Sequence, residues 1–133
     1  MRLWHGGIPG LKPGELIQPG SNRPVVPGCA HCEANARGEA TSISPLTKHQ
    51  DRIYITTNRL YAKHYASLYG RGDLYRVEPV GELVRSDEDS IETYTVAAAR
   101  VVSVYDRAVQ LSWSERRRLF REWDKADMAV SVR

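Results

Sequence analysis

Residues 51–69 read DRIYITTNRLYAKHYASLY. Arg52-Ile53-Tyr54-Ile55-Thr56 has the β-branched and aromatic content of a strand. Thr57 and Asn58 then supply helix-capping side chains, and Leu60, Tyr61, His64, Tyr65 and Leu68 recur at helical spacing, predicting a helix over about 58–69. A strand that turns directly into a helix puts Tyr54 on the strand and Tyr65 on the helix, where both rings would line one crevice. Near the N-terminus, Leu3-Trp4-His5-Gly6-Gly7 is a short apolar strand ending in His-Gly.

The 133 residues suffice for one domain spanning 1–133. A chain of this size buries roughly 65–70% of its unfolded surface and folds without staples. With 41% apolar and 26% charged residues the composition is that of a globular protein, and a net charge of +3 is too mild to argue for nucleic acid. No apolar run approaches the roughly 18 residues of a membrane span, so no membrane partner is expected. The N-terminus enters LWHGG without an apolar leader core, which predicts a cytoplasmic protein.

Residues 8–28 are punctuated by Pro and Gly and read as a loop, either a plain surface loop or one folded over a ligand, with Glu15-Leu16-Ile17 as a brief strand. Cys29-Ala30-His31-Cys32 is open to three readings: loop or packing cysteines, half of a metal site, or a redox pair. A closed zinc site needs four ligands and no second Cys pair exists, so no metal is assigned. Residues 33–50 begin with helix formers and become polar loop. Gly70-Arg71-Gly72-Asp73 is a turn rather than an adhesion signal. Leu74–Val80 alternates as a strand, which Gly81–Val84 continues after a break, and Arg100–Tyr105 reads as another strand. Ser86-Asp87-Glu88-Asp89-Ser90-Ile91-Glu92 is either a solvated loop or one that turns a carboxylate inward.

The clearest helix is C-terminal, over about 112–126. Ser112 and Glu115 make a capping box, and Trp113, Leu119, Phe120, Trp123 and Ala126 form an interrupted apolar stripe. Arg116, Arg117, Arg118 and Arg121 give it a basic face, which is either solvated and paired with Glu115, Glu122 and Asp124 or able to grip phosphates.

In their order along the chain these motifs resemble the ADP-ribosyltransferase fold of the diphtheria-toxin-like class. Leu3–Gly7 is similar to its opening His-Gly strand and Ile53–Thr56 to its tyrosine-bearing strand. Tyr65 stands eleven residues after Tyr54, where the poly(ADP-ribose) polymerases also carry a tyrosine. The pattern is closest to the small bacterial enzymes that ADP-ribosylate rifamycin antibiotics. There too His-Gly precedes a Leu-Lys-Pro-Gly-acid-Leu-Ile stretch, here Leu11–Ile17, then a Ser-Asn, here Ser21-Asn22, a Gly-Arg-Gly turn and a V-E-P-x-G strand, here Val77–Gly81. The likeness runs from Leu3 to about Arg100 and leaves the C-terminal helix unmatched.

The resemblance implies a mono-ADP-ribosyltransferase that takes NAD as substrate, transfers ADP-ribose to an acceptor and releases nicotinamide. It implies an α+β fold with two small antiparallel sheets around an NAD cleft and helices outside. Cleavage at C1 of the ribose passes through an oxocarbenium-like state, which calls for orientation and electrostatic stabilisation more than for an enzyme nucleophile. On the family's pattern Tyr54 and Tyr65 would sandwich the nicotinamide ring. Gly6, lacking a Cβ, would let its backbone pair with the carboxamide. His5 would bind a ribose hydroxyl, and Ser21 and Thr56 would complete the dinucleotide site. The family's carboxylate falls among Asp87, Glu88, Asp89 and Glu92, with Asp87 first by position and Glu92 second. The loops before Tyr54 differ from those of the antibiotic-modifying relatives, so rifamycin is not assigned as acceptor: a small molecule, a protein or a nucleic acid all fit. Two other classes stay open, a non-catalytic NAD- or ADP-ribose-binding module and a toxin-type protein acting on nucleic acid.

Overall fold

Alternation along Leu3–Gly7 governs how the rest of the chain packs, because this strand is buried on both faces. The computed structural model describes residues 1–19, 28, 30, 33, 51–68 and 71–131. Within them the elements run β1 (Leu3–Gly7), β2 (Leu16–Ile17), β3 (Ile53–Thr56), α1 (Arg59–Ser67), β4 (Asp73–Val80), β5 (Val84–Arg85), β6 (Thr93–Val96), β7 (Ala98–Asp106) and α2 (Trp113–Ser131).

The architecture is α+β, as expected, but the strands form one seven-stranded antiparallel sheet in the order β2-β7-β4-β1-β3-β6-β5, not two small sheets. The correction has a specific cause: β1 pairs on both of its edges. It runs against β4 along its whole length, from Leu3↔Val77 to Gly7↔Asp73, and it meets β3 at Trp4↔Thr56. That single registered pair joins a four-stranded half to a three-stranded half, so the sheet has a seam between β1 and β3.

Leu3, Ile17, Ile53, Ile55, Tyr75, Val77, Val96, Ala99 and Val101 fill one face of the sheet. Ile53 and Val96, fully buried, each contribute roughly 2 kcal/mol by leaving water. The loop after β1 closes over this face. Tyr75 Oη donates to Ile8 O at 2.6 Å and accepts from Leu11 N at 3.1 Å, and burial pushes its phenol up to about 12. Gly14 N donates to Val101 O at 2.8 Å.

The opposite face carries Trp4 and Leu74 and is covered by Ala62 and Ala66 of α1. Gly6 makes that approach possible. A Cβ there would lie 1.8 Å from Ala62 O and 2.7 Å from Ala66 N, so the helix backbone rests directly on the strand. The other side of α1, through Leu60 and Tyr61, packs on Ile91 and on Leu119 of α2.

The helix ends follow the sequence closely. Asn58 caps α1 by accepting from Tyr61 N at 3.0 Å. The predicted box at α2 forms in both directions, with Glu115 N donating to Ser112 Oγ at 3.2 Å and Ser112 N to Glu115 Oε1 at 3.1 Å. α2 then runs on past the expected end at 126 to Ser131. The segment after β4 is not its continuation: Val84-Arg85 crosses to the far edge and pairs with Tyr94 and Thr95.

Candidate functional site at the β1–β3 seam

The seam brings three distant segments together: the His-Gly strand, the strand–helix unit around Tyr54, and the acidic loop 86–92. His5 is 9% exposed. Its Nδ1 lies 2.9 Å from Tyr54 O, and since a carbonyl only accepts, Nδ1 carries the proton and donates. The imidazole thus spans from β1 to β3 beside the one registered pair of the two strands. A Cβ on Gly7 would meet His5 Nε2 at 2.7 Å, so a glycine there makes room for the ring.

Strand alternation puts the groups on two sides of the sheet. His5 shares the face of Leu3 and Tyr75, whereas Gly6 shares that of Trp4 and α1. Tyr54 and Thr56 lie on the α1 face, since Thr56 stands opposite Trp4. The imidazole and the Tyr54 phenol therefore leave the sheet in opposite directions and are linked through the Tyr54 carbonyl. The expected single crevice lined by all three rings is resolved into a histidine on one side of the seam and tyrosines on the other.

On the α1 side the tyrosines converge on the acidic loop. Tyr54 Oη donates to the Glu88 carboxylate, and Tyr61 Oη donates to Asp89. With its one proton so used, Tyr61 accepts from Tyr65 Oη at 3.1 Å, their rings edge to face at 5.0 Å. Burial, before the neighbouring phenol and carboxylate, drives the Tyr61 hydroxyl well above its ordinary value, so it stays a donor.

The loop itself is tied down by short side chains. Ser86, 5% exposed, donates from Oγ to Asp89 at 3.0 Å and accepts from Glu88 N at 3.2 Å, and its own N–H donates to Thr93 O at 2.9 Å. Thr56 Oγ1 donates to Glu92 O at 2.6 Å, and Ile91 is buried between the helices. Asp89 thus has both carboxylate oxygens engaged inside the protein, while Glu88 is exposed beside Tyr54.

Of the carboxylates preferred from sequence position, Asp87 is exposed and Glu92 accepts from Tyr94 Oη at 2.6 Å, away from Tyr54 and Tyr65. Glu88 and Asp89 are the pair that the tyrosines hold. Gly6 is buried beneath α1, and its missing Cβ is accounted for by helix packing. Thr56 has a loop-anchoring role. Ser21, Cys29 and Cys32 lie outside the described residues. Tyr61 and Ser86 were not singled out by sequence, although Tyr61 and Tyr65 stand four apart on one helix, a spacing that stacks side chains on one face. Among the described residues no group of three or more His, Cys, Asp or Glu side chains could hold a metal ion. Nor is any helix there long and apolar enough to cross a membrane.

Comparison with family models, with curated proteins and with solved structures gives no match to this chain.

Proposed function

We propose that the protein is an NAD-dependent mono-ADP-ribosyltransferase. The observation that carries this is the meeting of Tyr54 and Glu88: a strand tyrosine next to the His-Gly strand holds a carboxylate from a loop 34 residues away. The same order of residues supports it in the sequence. NAD is the substrate. The bond from ribose C1 to the nicotinamide nitrogen breaks, nicotinamide leaves with the electron pair, and an acceptor nucleophile bonds to C1 as it loses its proton.

Each residue at the seam has a task in that reaction. Glu88 holds a hydroxyl of the nicotinamide ribose and offsets the positive charge that grows on the ring as the bond lengthens. Asp89, fixed by Tyr61 and Ser86, positions the loop that carries Glu88. Tyr54 and Tyr65 give aromatic faces to nicotinamide. His5, protonated at Nδ1, clasps β1 to the Tyr54 carbonyl from the opposite face of the sheet and so holds in place the strand that carries Tyr54.

The test is to incubate the protein with NAD and follow nicotinamide by proton NMR, with calorimetry for binding. Release of nicotinamide is expected. NAD bound without release would replace the transferase by a binding module, and neither binding nor release would remove NAD from the account.

A further inference from the structure

The apolar stripe predicted for the C-terminal helix divides between two faces of α2. Leu119 is buried, and Trp123 and Ala126 are packed toward α1. Trp113, Phe120 and Met128 are 75%, 58% and 70% exposed. At about 100° per residue, Trp113, Arg117, Phe120, Asp124 and Met128 fall on one stripe turned away from Leu119. Three large apolar side chains thus alternate with two opposite charges, about two helical turns apart, along the exposed side of α2.

We propose that this stripe is a homodimer interface, in which α2 packs antiparallel against α2 of a second copy about a twofold axis passing between Phe120 and Arg121. The stripe is complementary to its own reversal, which an isologous contact requires. Turned end for end about that point, Trp113 comes level with Met128 of the second copy, where a thioether meets an indole. Arg117 comes level with Asp124, giving the same ion pair twice. Phe120 lies beside its own symmetry copy and level with Arg121, whose guanidinium reaches the ring.

The charges of the stripe complement their own reversal, since Asp124 sits just where the second copy brings Arg117. The contact is one helix wide, at the small end of specific interfaces, so the dimer is weak and depends on concentration.

Sedimentation equilibrium of the full chain across a wide concentration range tests this. The wild-type protein shows a reversible monomer–dimer equilibrium. Phe120→Glu, Arg117→Asp and Asp124→Arg each weaken dimerisation at least about tenfold, since every change acts twice across the axis. The double variant Arg117→Asp/Asp124→Arg restores the wild-type constant to within a few-fold. Circular dichroism confirms that each variant is folded, as these side chains are exposed. A wild-type protein that stays monomeric at every concentration overturns the proposal, as does a double variant no better than its parents. Binding of an oligonucleotide or an anionic vesicle through these residues, with no dimer, reassigns the stripe.

Discussion

His5 Nδ1 donates to the Tyr54 carbonyl at 2.9 Å, and this bond links two strands whose registered pairing is confined to Trp4↔Thr56. The imidazole is therefore both a clasp across the seam and a group held in one tautomer. His5→Ala is expected to lower nicotinamide release about 100-fold through lost positioning. Stability falls by about 2–3 kcal/mol, because a buried ring and its hydrogen bond are lost together. Turnover from NAD beside a urea unfolding curve separates the two. Equal activity in the variant would end the site assignment.

Gly6→Ala tests the contact between β1 and α1. The added methyl would stand 1.8 Å from a backbone oxygen, which cannot swing aside as a side chain would. The helix has to lift from the strand, at a cost of about 3 kcal/mol as an overpacking change. Chemical denaturation checks this, and a loss under 1 kcal/mol would mean that α1 sits further from the sheet.

Asp73 opens β4 almost wholly buried, and it ties this strand to two other segments, the loop after β1 and the turn after β7. Its carboxylate accepts from Gly10 N at 2.9 Å, Ala108 N at 2.9 Å and Arg107 Nη1 at 2.8 Å, with Tyr75 Oη at 3.5 Å. Asp73→Ala removes the buried acceptor of three hydrogen bonds at once and should cost about 3 kcal/mol. Asp73→Asn keeps one acceptor oxygen and should cost less. Thermal unfolding of both variants gives the comparison, and equal losses would show that charge rather than acceptor geometry holds the loop after β1.

Glu115 gives the fold a pH dependence of known sign. The hydrogen bond from Lys63, 2.6 Å away, then that from the Ser112 N–H, hold its carboxyl below the usual 4.5. A depressed acid stabilises the folded state above its unfolded value, and the contribution is lost as pH falls below 4.5 through the folded value. Glu115→Gln should therefore have a shallower acid limb in its stability profile. Urea midpoints at neutral and acid pH measure the difference, and parallel profiles would assign acid sensitivity elsewhere.

Much of this was legible locally. Ile53–Thr56, the Asn58 cap and the Ser112–Glu115 box depend on residues close in sequence, and all three formed as read. The sheet count did not follow, because whether β1 bonds one neighbour or two is decided by strands that lie far apart in the chain. Gly6 was read for its backbone, while its packing against Ala62 required knowing where α1 rests. Within the acidic run, position favoured Asp87. Which carboxylates meet the tyrosines depends on Ser86, which turns the loop, and on Tyr54 and Tyr61, which bond Glu88 and Asp89. The interrupted C-terminal stripe divides because Leu119 and Phe120, neighbours in sequence, stand about 100° apart around the helix, one buried and the other 58% exposed.

Nicotinamide release from NAD, measured side by side for wild type, Glu88→Gln and Asp87→Asn, goes to the centre of the account. Turnover by the wild-type protein, a loss of about 100- to 1,000-fold in Glu88→Gln and near-normal release in Asp87→Asn are predicted for a residue that stabilises the transition-state charge. A Glu88→Gln variant as active as wild type, with activity lost in Asp87→Asn, would contradict it.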